Sequence, residues 1–193
     1  MDASAETKVI AGPSGTQAVE EKLRDLEKRL TQVEEQVAED RVALVVFSGD
    51  LDRALAAFII ATGAAAMGQQ VSMFFTFWGL SVLKKDSQLA GKTLFQKMMD
   101  LMSPGSSKSL PVSKMNYFGM GAKMLRSMMK QKNINSLEEM ISLARELGVR
   151  MIACEMSRDL MGIKESELVA GLECGGVASF LADSLKARTS LFI

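Results

Sequence analysis

In the stretch Met151-Ile152-Ala153-Cys154-Glu155-Met156-Ser157, an apolar run ends on a cysteine and polar residues take over at once. Leu147-Gly148 closes the helix before it, residues 149–153 read as a buried strand, and Ser157 is placed to cap the helix that follows. Cys154 therefore ends a parallel strand. That edge of an open α/β sheet gathers ligands and reactive groups, and a helix starting just beyond it favours thiolate over thiol. The competing reading is a small buried hydrophobe, since free cysteine is among the most buried residue types. The other sulfur, Cys174, opens the turn Cys174-Gly175-Gly176. The chain has no histidine. Cysteine–histidine and serine–histidine catalysis are thereby removed, a zinc site is disfavoured, and any thiolate must be activated by backbone dipoles or by lysine and arginine. Neither glycine turn, Ser48-Gly49-Asp50 nor Cys174-Gly175-Gly176, matches a dinucleotide or Walker fingerprint, so no cofactor and no metal are expected. Tight strand-to-helix turns account for both, with Asp50 as the cap of its helix.

The elements that must position these residues follow from composition and periodicity. In 193 residues, 23 lysines and arginines balance 23 aspartates and glutamates. Such a chain suits one domain with an appendage and carries no global charge that argues for nucleic acid. With two cysteines and no secretory apolar stretch at the start, the expected location is a reducing cytoplasm. Residues 1–16 mix Gly, Pro, Ser and Ala without period and read as a flexible tail. Over residues 17–40, Val19, Leu23, Leu26, Leu30, Val33 and Val37 step by four and three with charges between, which is a heptad seam. The seam suits a coiled coil between subunits; a single helix packed on its own domain is the alternative.

From residue 41 the theme is strand, turn, helix. Residues 42–47 form an unbroken aliphatic strand ending at Ser48-Gly49-Asp50, and 51–67 an alanine-rich helix stopped by Gly68. Residues 70–77 form a second strand ending at Trp78-Gly79. Residues 54–83 carry no charge, but Gly68-Gln69-Gln70 divides them into a buried helix and strand, not a membrane span. Residues 86–132 are rich in methionine and lysine and read as helices 94–102 and 114–130, an insertion usable as core, as a docking face or cover near Cys154, or as a contact with an anionic membrane surface. Ser136-Leu137-Glu138-Glu139 is a capping box. After the strand ending at Cys154 come a short helix, a strand at 168–173, a helix at 177–186 and a last strand at 190–193. Five strands separated by helices imply a mainly parallel sheet. An order 2-1-3-4-5 would set Ser48, Gly49 and Asp50 across a crevice from Cys154, Glu155, Met156 and Ser157, with Trp78, Cys174, Gly175 and Gly176 on the same edge and the two cysteines close together.

Several segments carry a resemblance. Ala153-Cys154-Glu155-Met156-Ser157, Leu160-Met161-Gly162-Ile163, Gly175-Gly176-Val177-Ala178 and Leu191-Phe192-Ile193, with Val45 to Asp50, Phe75 to Gly79 and Gly119 to Ala122, are similar to the DsrE/DsrF-like family, in particular its peroxiredoxin-like branch. The likeness spans residues 41–193 and leaves the heptad helix outside. It implies a three-layer α/β/α sandwich, a homo-oligomer, and a persulfide carried on Cys154. A sulfur donor or acceptor protein, or a small sulfane-sulfur compound, is the partner so implied. Cys174 matches no family-wide motif; it is an auxiliary thiol at most. Sulfur transfer needs a thiolate and a docked donor but little acid–base machinery, which suits a chain without histidine. The alternatives are peroxide reduction by the same thiol, and a non-catalytic oligomeric or membrane-surface scaffold.

Overall fold

The computed structural model describes residues 15–36, 38–86, 92–114, 116 and 119–193. The expected tail, Val37 of the heptad seam and Met115 fall largely or wholly outside them. Two compact units are present, Met1–Val37 and Ala38–Ile193. In the first, helix α1 spans Gly15–Gln36, and every residue from Val19 to Thr31 is exposed.

In the second unit, β1 (Glu39–Val46) leads to α2 (Leu51–Ala66) and β2 (Gln70–Phe75), followed by a 3-10 turn at Phe77–Leu83. Helices α3 (Leu94–Met102), α4 (Met120–Gln131) and α5 (Leu137–Glu146) precede β3 (Arg150–Cys154). Then come α6 (Glu155–Met161), β4 (Glu173–Gly175), α7 (Val177–Ser184) and β5 (Ala187–Phe192). All five strands are parallel, with helices on both faces of the sheet, and the α/β/α class is as expected. The order is not. It runs β4-β3-β2-β1-β5, so β2, not β1, lies beside β3. Three successive right-handed crossovers step the chain the same way, and only β5 returns to the far side of β1, which puts α7 on the opposite face from α2 and α5.

The larger core lies on the α2 and α5 face. Leu44, Val46, Met73, Phe75, Met151 and Ala153 alternate inward along β1, β2 and β3 and pack on Leu51, Phe58 and Ala61 of α2 and Leu137, Ile141 and Ala144 of α5. Fully burying one such large side chain stabilises the fold by roughly 1.5–3 kcal/mol. The other face is thin: Ala43, Phe74, Ile152 and Cys154 meet Phe180 of α7, whose ring stacks on Phe74 at 5.2 Å. Asp183, near the end of α7, pairs with both Arg41 and Arg150. Helix α5 starts as its sequence dictates, with Ser136 and Glu139 each bonding the other's backbone N–H.

Other expectations need correction. The fourth strand is Glu173–Gly175, not 168–173; Gly171 turns the chain at φ 82°, and Leu168 makes only an isolated antiparallel bridge with Lys84. Cys174 thus lies within the strand. Gly119, at φ 81°, delays the second Met-rich helix to Met120. The last strand starts at Ala187, earlier than expected. The lysines of the insertion are not all free surface charge: Lys92 pairs with Glu167 at 2.8 Å, side chains 1% and 0% exposed, and Arg126 donates to the Ser107 carbonyl at 2.7 Å. Among the described residues, no helix is long and apolar enough to cross a membrane.

Candidate functional site

Parallel pairing puts the carboxyl ends of β1 to β4 on one edge, and Cys154 closes β3 there. Its side chain faces the α7 side and is 4% exposed. Helix α6 begins at the next residue, so Cys154 itself is the N-cap and Ser157 falls inside the first turn, not at the cap. Fully buried there, the Ser157 hydroxyl donates to the Cys154 sulfur at 3.4 Å. Thr76 Oγ1 lies 2.8 Å from the same hydroxyl oxygen. The register explains this meeting. Phe75 pairs with Ala153, so the next residues, Thr76 and Cys154, stand side by side. Burial pushes the thiol pKa up, but the hydroxyl and backbone N–H of Ser157, the hydroxyl of Thr76 and the N–H of Met156 outweigh it and hold Cys154 below the ordinary cysteine value. The two backbone groups act at helix-cap range without forming a cap hydrogen bond to the sulfur.

The remaining candidates divide into two groups. Ser48, Gly49, Asp50 and Trp78 line one cavity of about 340 Å³ with Phe47, Arg53, Ser81, Pro104 and Pro111, and Cys154 is not among its walls. Asp50 caps α2 by position only; the Ser48 hydroxyl donates to its carboxylate at 2.9 Å. The expected crevice between the β1 turn and Cys154 is therefore absent as drawn, because the end of β2 intervenes. Glu155 and Met156 are exposed beside the buried sulfur.

Cys174 belongs to the second group. It pairs with Ala153, while Cys154 pairs with Gly175. Paired residues of parallel strands share a face and successive residues alternate, so the two thiols point to opposite sides of the sheet. Neighbouring strands bring them close along the backbone, yet a direct disulfide would need backbone movement because the Cβ vectors diverge. Cys174 is exposed and accepts a hydrogen bond from Arg158 Nη1 at 3.1 Å. Gly175 is buried next to Cys154, and Gly176 is the exposed N-cap of α7. Thr76 is the site residue that sequence reasoning missed. Its signal was present: a hydroxyl at the first position after a buried strand, visible only once β2 is set beside β3.

Residues 38–192 match the DsrE/DsrF/DrsH-like family. The chain is 44% identical over 154 residues to the uncharacterised protein YrkE of Bacillus subtilis, covering 79% of this chain and 96% of that one. It is 36% identical over 156 residues to the sulfur carrier protein DsrE2 of Allochromatium vinosum, covering 79% and 98% respectively. Among solved structures, the ychN protein of E. coli aligns with a TM-score of 0.47 and 11% identity, over 79% of this chain and 98% of that chain.

Proposed function

The chain belongs to the DsrE/DsrF/DrsH-like family, and from that premise we propose that it carries sulfane sulfur as a persulfide on Cys154 and hands it to a partner. The observation that carries this reading is a thiol held toward thiolate by Ser157 and Thr76 at a strand end, in a chain 36% identical to a protein named as a sulfur carrier. The Cys154 thiolate attacks the outer sulfur of a donor persulfide. The donor's S–S bond breaks, its electron pair leaves on the donor thiolate, and a new S–S bond forms at Cys154. Attack by an acceptor thiolate on the outer sulfur reverses the exchange, with no net oxidant or reductant. Neither direction requires a general acid beyond solvent.

Arg158 favours transfer over peroxide reduction as the work of this thiol, because its guanidinium is directed at Cys174 and Asp159, not at Cys154. A partner protein would find its docking face beside α6. Helix α3 packs there, with Gln96 Nε2 donating to the Asp159 carbonyl at 3.3 Å, and it leaves Leu94, Phe95 and Met98 exposed. Methionine-rich apolar surface adapts to more than one partner shape.

The test is intact mass and peptide mapping after incubation with inorganic polysulfide. Wild type and Cys174→Ser gain sulfur on Cys154 that a reductant removes, and Cys154→Ser gains none. Sulfur found on Cys174 alone would overturn the assignment.

A further inference from the structure

We propose that α1 joins the α1 helices of other copies of this chain in a parallel, in-register coiled coil of more than two strands. The starting observation is an exposed apolar stripe: Val19, Leu23, Leu26 and Leu30 are 57%, 53%, 59% and 59% exposed. Their four-three spacing puts Leu23 and Leu30 at heptad position a, and Val19 and Leu26 at d.

The charges flanking that stripe choose the partner and its direction. Glu20 and Glu27 occupy e, and Lys22 and Arg29 occupy g. In a parallel in-register coil, a g residue meets the e residue five places on in its neighbour, so Lys22 of one copy faces Glu27 of the next. The sequence repeats the same charge order one heptad later, at Arg29 and Glu34. In an antiparallel coil, g meets g and e meets e. Lysine would then face arginine and glutamate would face glutamate along both flanks, which is unfavourable. The flanks are complementary to themselves only in the parallel arrangement, so the fitting occupant is a second copy of this same helix.

The seam also bears on strand number. Two-stranded parallel coils favour β-branched residues at a with leucine at d, and leucine at a with β-branched d moves the preference to three or four strands. Here leucine fills a at Leu23 and Leu30 and valine fills d at Val19 and Val33, with Leu26 at d and Val37 at a the exceptions. Only two residues separate α1 from β1. A parallel coil brings the carboxyl ends of all the helices together, whereas an antiparallel one would set them at opposite ends of a helix about 33 Å long.

The test uses the full chain in a Cys154→Ser, Cys174→Ser background. Val19→Cys lies at d near one end of α1; parallel in-register pairing brings its copies together, and antiparallel pairing separates them by roughly 20 Å. Glu21→Cys, at the outward f position, is the control. The expected result is that mild oxidation links Val19→Cys chains much faster than Glu21→Cys chains, and that light scattering gives more than two chains per particle. Adding Lys22→Glu and Arg29→Glu should slow the Val19→Cys linkage several-fold with the urea midpoint of the α/β unit unchanged. Linkage at residue 19 no faster than at residue 21 overturns the parallel coil. Fast linkage with only two chains per particle overturns the strand number, and fast linkage indifferent to the charge reversals overturns the flank pairing.

Discussion

A cysteine only 4% exposed draws its thiolate character from fixed donors, because little water reaches it. At Cys154, burial opposes ionisation, and Ser157 supplies the largest opposing effects through its hydroxyl and its N–H. Removing the hydroxyl in Ser157→Ala leaves burial less opposed, so the thiol pKa rises. The pH profile of reaction with a small thiosulfonate should move to higher pH, and the rate at neutral pH should fall several-fold. Thr76→Val should move it the same way by less, since Thr76 also works through Ser157. Profiles identical to wild type would remove both residues from the site. The linked effect on stability has a definite sign. The folded-state pKa is depressed, so the contribution is complete above the unfolded thiol's pKa and is lost as pH falls through the folded value. The strand-end position of Cys154 was legible in the sequence because an apolar run stopping at a polar residue marks a strand end. Thr76 was not, because which strand neighbours β3 is not written in any local pattern.

The turn after β2 is fastened to the end of β1 by backbone hydrogen bonds as well as by the Phe47–Phe77 ring contact at 5.6 Å. Thr76 N–H donates to the Val46 carbonyl at 3.1 Å and Gly79 N–H to the Phe47 carbonyl at 2.8 Å. A Cβ on Gly79 would sit 2.0 Å from the Val46 carbonyl oxygen, and one on Gly49 would sit 2.8 Å from that of Trp78. Only glycine allows this approach. Gly79→Ala must therefore push the two loops apart, at about 1–3 kcal/mol, the usual cost of overpacking. Urea unfolding should show that loss together with slower Cys154 labelling, because the same turn carries Thr76. Unchanged stability would mean that the loops relax freely. Most element types could be read from periodicity: the buried runs at β1, β2 and β3, the alanine-rich α2, and the Ser136 capping box. Errors came where single glycines decided. Gly171 shortened β4, Gly119 delayed α4, and the three-residue β4 left too short a run for a period to emerge.

At the scale of the molecule, Ala38–Ile193 is a compact unit whose core is built from its own residues. Deleting residues 1–37 should leave the urea midpoint and sulfur uptake of the remainder intact while lowering the number of chains per particle. Loss of folding on deletion would contradict that independence. The strand order was beyond reach of the sequence for a physical reason: crossover handedness fixes which face a helix covers once the step is known, but not whether the next strand is added to the left or the right. The class survived that error and the crevice did not. The unequal coverage of the sheet has a kinetic consequence. Cys154 packs in the same small cluster as Phe180, under a single eight-residue helix tied down by one aromatic stack, the Asp183 carboxylate shared by Arg41 and Arg150, and the Ser184–Ser190 hydroxyl pair at 3.0 Å. Such a layer lies at the low end of the local opening free energies that amide exchange measures. In the proposed carrier role, how often that layer opens, together with the thiolate fraction that Ser157 and Thr76 set, governs how long a sulfur atom stays on Cys154.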